Sequence, residues 1–142
     1  MAKESKIATL VLLTTFLAFG NIYAQETAKE LLEKGKQFYE EHKYDEAITE
    51  YNKAIELNPN YAEAYNNRGV AYNVKGSYDQ AISDFTRAIE INPSYAEAYY
   101  DRAVAYYWKH EPDKGWDDMQ KAEKLGAIGN PDLIKLFEET QE

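Results

Sequence analysis

Cysteine is absent from this 142-residue chain. That excludes disulfides, thiolate metal sites, a cysteine nucleophile and a lipid-anchored N-terminal cysteine. Basic residues are in deficit, 16 against 25 acids, for a net charge of −9 and an isoelectric point near 4.8. Nucleic acid, whose phosphates call for clustered Lys and Arg, is thereby disfavoured as a partner. Glycine and proline number only 7 and 4. No glycine-rich phosphate loop, no Gly-x-Ser-x-Gly elbow and no His-x-x-x-His pair occurs. What is present is a 44% apolar, 14% aromatic composition. That is too rich in core formers for a disordered acidic tail, and the length suits one domain.

The first two dozen residues read as an address. Lys3 and Lys6 make a basic head, and Ile7 to Phe19 is an apolar run interrupted only by Thr9, Thr14 and Thr15. Gly20-Asn21-Ile22-Tyr23-Ala24 then gives way to Gln25-Glu26. This order resembles a signal peptide cut after Ala24. A membrane span needs roughly 20 apolar residues, more than this run supplies. The expectation is an exported protein of residues 25–142, periplasmic or secreted, without stable membrane insertion. Its one Asn-x-Ser/Thr-like site, Asn92-Pro93-Ser94, is blocked by proline.

The rest of the chain repeats every 34 residues. Laid over 62–95, residues 28–61 share twelve identities, among them Gly35/Gly69, Tyr44/Tyr78, Ala47/Ala81, Ala54/Ala88 and Pro59/Pro93. Residues 62–95 share twelve more with 96–129, including Ala62-Glu63-Ala64-Tyr65 against Ala96-Glu97-Ala98-Tyr99. A fixed period of this size means stacked supersecondary units. Each unit divides into two amphipathic helices: Leu31, Gly35 and Phe38 recur on one face of the first, and Ala47, Tyr51, Ala54 and Ile55 on one face of the second. His42-Lys43 and Gly76-Ser77 mark turns between them. Thr27…Glu30, Asn60…Glu63 and Ser94…Glu97 have capping-box spacing. Asn58-Pro59 and Asn92-Pro93 end the preceding helices. Gly35, Gly69 and Ala103, facing Ala47, Ala81 and Gly115, let paired helices approach, with Phe38, Tyr72 and Tyr106 expected to fill the neighbouring space.

This pattern resembles the tetratricopeptide repeat (TPR) family in three copies: 28–61, 62–95 and 96–129. The second copy matches best, through Tyr65, Gly69, Tyr72, Tyr78, Ala81, Phe85, Ala88 and Pro93. In the third, Pro112, Gly115, Met119 and Ala127 replace the tyrosine, alanine, aromatic and proline. Beyond it, Asn130-Pro131 begins a short helix over 130–142 with an apolar stripe of Leu133, Ile134, Leu136 and Phe137, and with Glu138, Glu139 and Glu142 outside. It reads as a helix covering the open end of a complete array. The resemblance implies an all-α fold, a right-handed α-solenoid of three antiparallel helix pairs with a C-terminal covering helix.

The resemblance also implies a concave groove that holds an extended peptide or partner segment. Carried over by position, its lining is Lys29, Leu32, Lys36, Tyr39 and Glu40 from the first copy. The second supplies Glu63, Asn66, Val70, Asn73 and Val74, and the third Glu97, Tyr100, Val104, Tyr107 and Trp108. Tyr39, Tyr100 and Tyr107 are the tyrosines that the repeat pattern does not demand. Surplus aromatics on such a face suit binding, although packing against a neighbouring helix is the alternative. A carboxylate-gripping subtype of the family places its clamp at positions that fall on Leu32, Lys36, Asn67, Glu97 and Asp101. Of these only Asn67 fits, and the acids at two cationic positions repel a carboxylate. Asn67 and Asp101 are counted on the groove face too, and with Glu40, Glu63, Glu97 and Asp101 on or near it an apolar segment carrying Lys or Arg suits it better.

No catalytic, cofactor or metal site is expected. His42 and His110 fall at solvated turns, and Asp113, Asp117 and Asp118 lack a calcium loop's glycine and final glutamate. Trp116, at the position of Ile48 and Ile82, reads as core. The functional expectation is a non-enzymatic exported scaffold for a protein or peptide partner. The alternative is an accessory subunit of an envelope assembly, working by edge stacking or self-association.

Overall fold

A computed structural model describes residues 2–127 and 129–139. The side chains of 2–19, 21, 132, 133 and 138 lie outside that description, as do residues 1, 128 and 140–142. The basic head, the apolar run, Leu133, Glu138 and Glu142 therefore fall outside it.

Among the described residues seven helices follow one another: α1 (Ala2–Glu40), α2 (Tyr44–Leu57), α3 (Ala62–Val74), α4 (Tyr78–Ile91), α5 (Ala96–Trp108), α6 (Pro112–Lys124) and α7 (Pro131–Glu139). Helices α1 and α2, α3 and α4, and α5 and α6 pack as pairs. Successive pairs join through α2 against α3 and α4 against α5, and α7 rests on α6. The odd-numbered helices also touch in sequence, α1 with α3 and α3 with α5, which puts them on one side of the solenoid. Among the described residues no helix is long and apolar enough to cross a membrane.

Small residues set the helix spacing. Ala47, Ala54, Ala64, Ala71, Ala81, Ala88, Ala98, Ala103 and Ala105 are fully buried. The large core side chains are Tyr51, Phe85, Phe137, Leu32 and Met119. Phe38 and Tyr72 pack against the core clusters as expected, while the rings directly over the glycines are those of Tyr51, Phe85 and Phe137. A Cβ built on Gly35 would lie 2.4 Å from the Tyr51 ring, and one on Gly69 would lie 2.7 Å from the Phe85 ring. The third pair keeps the design by exchanging parts. Met119 stands where Tyr51 and Phe85 stand, and the Phe137 ring of α7 comes down on Gly115, 2.9 Å from where its Cβ would be. Trp116 packs on the same cluster. The departures of the third copy thus compensate one another through a helix outside it.

The expected capping boxes do not form. Helix α1 runs unbroken through Thr27, whose hydroxyl donates to the Tyr23 carbonyl one turn back. Tyr61 and Tyr95 hold the N-cap positions of α3 and α5 without side-chain caps. The asparagines before the prolines tie the turns instead: Asn58 Oδ1 accepts from the Asn60 amide at 3.2 Å, and Asn92 Oδ1 accepts from the Ser94 amide at 3.1 Å. An Asn side chain bonded two residues ahead is an Asx-turn, and it draws Asn60 and Ser94 away from capping.

At the opposite ends, the turns within the pairs are left-handed at the same point of each period: His42 (φ 61°), Gly76 (φ 75°) and His110 (φ 64°). Each has the Schellman bond of the next amide to the carbonyl five residues back, Lys43 to Phe38, Ser77 to Tyr72 and Glu111 to Tyr106. The two histidines are turn residues held where glycine is preferred. His110→Gly should raise stability by about 0.5–1 kcal/mol, the left-handed penalty less glycine's extra backbone entropy. A higher urea midpoint at unchanged slope is the measure.

A ladder of ion pairs, not foreseen from the sequence, recurs with the period. Arg68 on α3 donates through Nε and Nη2 to both oxygens of Asp84, at 2.8 and 2.7 Å, and through Nη1 to Asn52 Oδ1 of the preceding pair. Arg102 repeats this with Asp118, at 2.6 and 2.7 Å, and with Thr86. Lys34 and Glu50 hold the same positions in the first copy, at 3.2 Å. Asp118 therefore serves this ladder. The signal was in the sequence as Lys34/Arg68/Arg102 and Glu50/Asp84/Asp118, each set one period apart.

Candidate functional site

The odd-numbered helices carry the positions assigned to the groove, and the structure divides them. Leu32 does not belong to the surface: it is 0% exposed within the first core cluster and can touch no partner. Tyr39 also packs against that cluster and meets Tyr44 edge to face at 5.3 Å. Lys36 is engaged with Glu33 at 2.9 Å and Glu63 at 2.7 Å. Burial lowers its pKa, but the bonds to the two carboxylates outweigh this and leave it raised. Val104 is half-buried.

Two of the surplus tyrosines prove to be structural. Tyr107 packs on Phe137 at 5.5 Å, and Tyr100 packs on the same cluster while its hydroxyl accepts from the Asn130 amide at 3.1 Å. Packing on α7, the alternative stated above, accounts for both. Trp108 alone among these aromatics is freely exposed, at 53%, with its ring edge to face against Tyr107 at 5.6 Å.

Six of the assigned residues do come together. Asn66, Asn67 and Val70 of α3, with Glu97, Tyr100 and Asp101 of α5, line a cavity of about 590 Å³. Tyr95 and the Gly126-Ala127 turn complete it. Those last three were missed, because Tyr95 reads as a repeat position and the turn lies outside the odd helices. The left-handed Gly126, at φ 90°, ends α6 and brings the chain over the cavity's edge. A shallower hollow of about 290 Å³ lies between Asn73, Val74, Tyr78 and Trp108, another of about 340 Å³ between Tyr107, Trp108, His110 and Pro112, and one of about 480 Å³ along α1 beside Lys29 and Lys34.

The main cavity is acidic, and its polar contacts are specific. Asn66 Nδ2 donates to Asp101 Oδ2 at 3.0 Å, and Asn67 Nδ2 donates to the Glu63 carbonyl at 2.9 Å. Burial pushes the Asp101 carboxyl up to about 6, Glu97 adding to the shift and the Asn66 bond opposing it. Tyr95 is pushed up to about 12 by burial and by Glu63, Glu97 and Asp101 together. An acid with a raised pKa binds its proton more tightly folded than unfolded. Asp101 therefore contributes stability at low pH that is lost as pH rises from near 4 through about 6. Asp101→Asn should be neutral near pH 4 and stabilising at pH 7, since the amide oxygen still accepts from Asn66. Melting curves of both proteins across this range provide the test.

With this geometry in view, sequence comparison is decisive for the repeats. The family pattern described as "TPR repeat" matches residues 35–73, and that described as "Tetratricopeptide repeat" matches residues 62–95. Residues 35–95 are tetratricopeptide repeats. The TPR solenoid extends beyond them in three dimensions. The first TPR of Spaghetti (RPAP3), bound to the HSP90 peptide SRMEEVD, is similar over 82% of this chain and 94% of its own, with a TM-score of 0.79 and 26% identity. The Arabidopsis OM64 TPR domain is similar over 82% and 95%, with a TM-score of 0.75 and 27% identity. Among curated proteins, Hsp70-Hsp90 organizing protein 3 of Arabidopsis thaliana is 46% identical over 50 residues, which is 35% of this chain and 9% of that protein. The Hsp70-Hsp90 organizing protein of Triticum aestivum is 42% identical over 55 residues, 39% of this chain and 10% of that protein. The chain thus matches about a tenth of the length of these relatives.

Proposed function

We propose that this protein is a non-catalytic TPR scaffold whose concave face holds an extended peptide or partner segment. The observation that carries the reading is the cavity between α3 and α5, because it opens on the face formed by the odd-numbered helices and is lined by six of the groove positions. The structural neighbour bound to an HSP90 peptide supports the same use of the fold. Its ligand's acidic end is not the preferred one here. Glu97 and Asp101 make the cavity repel carboxylates, so the favoured segment is apolar with basic residues. Fluorescence anisotropy with SRMEEVD and with C-terminally amidated SRMKKVK, in which lysine replaces its three acids, tests this. The basic peptide should bind and the acidic one should not, and the reverse order would overturn the charge assignment.

We further read residues 1–24 as an export signal. The solenoid supports a cut after Ala24, since Ile22 and Tyr23 are exposed and, among the described residues, the first buried side chain is Ala28. Sequencing the N-terminus of the protein recovered from cells should give Gln25, and Met1 would refute cleavage.

Edge stacking in an envelope assembly draws on different residues. Trp108 and Leu136 remain exposed. Phe137 is fully buried and cannot mediate stacking. A mass that rises with concentration and is abolished by Leu136→Asp would favour that reading.

A further inference from the structure

The 34-residue period exposes a missing partner. Where the first repeat meets the second, Lys36 on α1 reaches Glu63 at the start of α3, Nζ to Oε1 2.7 Å. One period later the acid recurs as Glu97, but Val70 stands at the position of Lys36. Val70 and Glu97 both line the main cavity, and among the described residues no Lys or Arg does. Asp101, one turn beyond Glu97 on the same face of α5, lines it too.

Asn66 supplies an independent observation. It is 6% exposed, and the carboxylate at Asp101 Oδ2 can only accept, so the Asn66 amide is oriented with Nδ2 towards it. Its other atom, Oδ1, is buried and accepts no hydrogen bond among the described residues. Buried polar atoms are ordinarily satisfied. One N–H of the Asn67 amide donates to the Glu63 carbonyl and the Tyr100 hydroxyl accepts from the Asn130 amide, and neither group carries a positive charge. Among the described residues the cavity therefore presents acceptors without a cationic donor.

We propose that the cavity receives a primary ammonium group, the Nζ of a lysine in the bound segment, held by Glu97, Asp101 and Asn66 Oδ1 as Lys36 is held by Glu63 one repeat earlier. An ammonium offers three donors from one compact charge, which suits a cavity lined by the carboxylates of Glu97 and Asp101 from one helix and by Asn66 from another. The aliphatic stem lies along Val70. Burial is the main cause that raises the Asp101 carboxyl, and a cation there offsets the smaller share that Glu97 adds. This deepens the groove reading and rests on it for the source of the lysine.

The test uses the full chain labelled with ¹⁵N and n-butylammonium chloride as the lysine side chain, with n-butanol as the uncharged control. Butylammonium should shift the Asn66 side-chain amide and the Glu97 and Asp101 backbone amides saturably, and butanol should not. Affinity should fall about tenfold in Glu97→Gln, an exposed rim substitution, and in Val70→Lys, which supplies the absent cation from within. Equal shifts with butanol, or unchanged affinity in Glu97→Gln, would overturn the proposal even if Val70→Lys fails to fold. A second arm compares the peptide Ac-Ala-Leu-Lys-Leu-Ala-NH₂ with its Nζ-acetylated form. Preference for the free lysine supports the proposal. Equal binding of both peptides overturns the ammonium site and leaves the groove standing. Butylammonium binding with neither peptide bound leaves the ammonium site and removes the groove.

Discussion

Replacing Gly69 with leucine is expected to lower stability by about 3 kcal/mol or more, and the melting temperature by more than about 10 °C. Even a methyl group at this position would lie 2.7 Å from Phe85 Cε1 and 2.9 Å from Cδ1. The ring cannot swing aside, because Phe85 is fully buried between Ala81 and Ala105. Overpacking must separate α3 from α4, and α4 also carries the contact with α5. Phe85→Leu in the same background should recover part of the loss by returning space, which is how steric conflict differs from a helix-propensity effect. Thermal and urea melts of the three proteins decide it, and an unchanged Gly69→Leu melt would refute the crossing.

The second large effect is expected at the ion-pair ladder. Asp84→Ala should cost about 3 kcal/mol, because the Arg68 guanidinium is left in a largely buried place without its carboxylate. The side chains are 19% and 7% exposed, and two hydrogen bonds join them. Burial pushes the Asp84 carboxyl up and Arg68 pulls it back, while burial lowers and Asp84 raises the Arg68 pKa, the net for Arg68 being upward. The remaining bond from Nη1 to Asn52 Oδ1, at 2.6 Å, keeps the cost from being larger. An Arg68→Met/Asp84→Leu double variant should be much closer to the parent than either single change, since it removes the uncompensated charge along with the pair. A double-mutant cycle by urea denaturation measures the coupling.

These predictions lie at different distances from the sequence. Gly69 could be marked as a close-approach position from its recurrence with Gly35, yet the ring that presses on it was not singled out. Tyr72 shares a helix with Gly69 and is near in sequence, whereas Phe85 comes from the facing helix and fits because it sits one period after Tyr51. The ladder was written as three basic and three acidic positions at the 34-residue spacing, but which basic residue meets which acid depends on how the helices cross.

The binding face shows the same division. Helical periodicity brings Leu32 and Lys36 to one face, but a face has an edge that turns inward, and Leu32 is on it. Tyr100 and Tyr107 resembled spare aromatics because the helix that uses them lies about 30 residues further on, in contacts that no local pattern encodes. Asn66 and Asp101 are 35 residues apart and meet only because α3 lies beside α5.

The sequence by itself determined the period, the pairing of amphipathic helices, the Asn-Pro stops and the acidic balance of the face, since each follows from local spacing and composition. Tertiary structure alone decided which side chains on that face are core, which serve α7 and which enclose a cavity. It also settled where an acceptor is left buried without a donor. Those outcomes depend on distances between helices, and a period specifies that helices stack without specifying which atoms their contact leaves over.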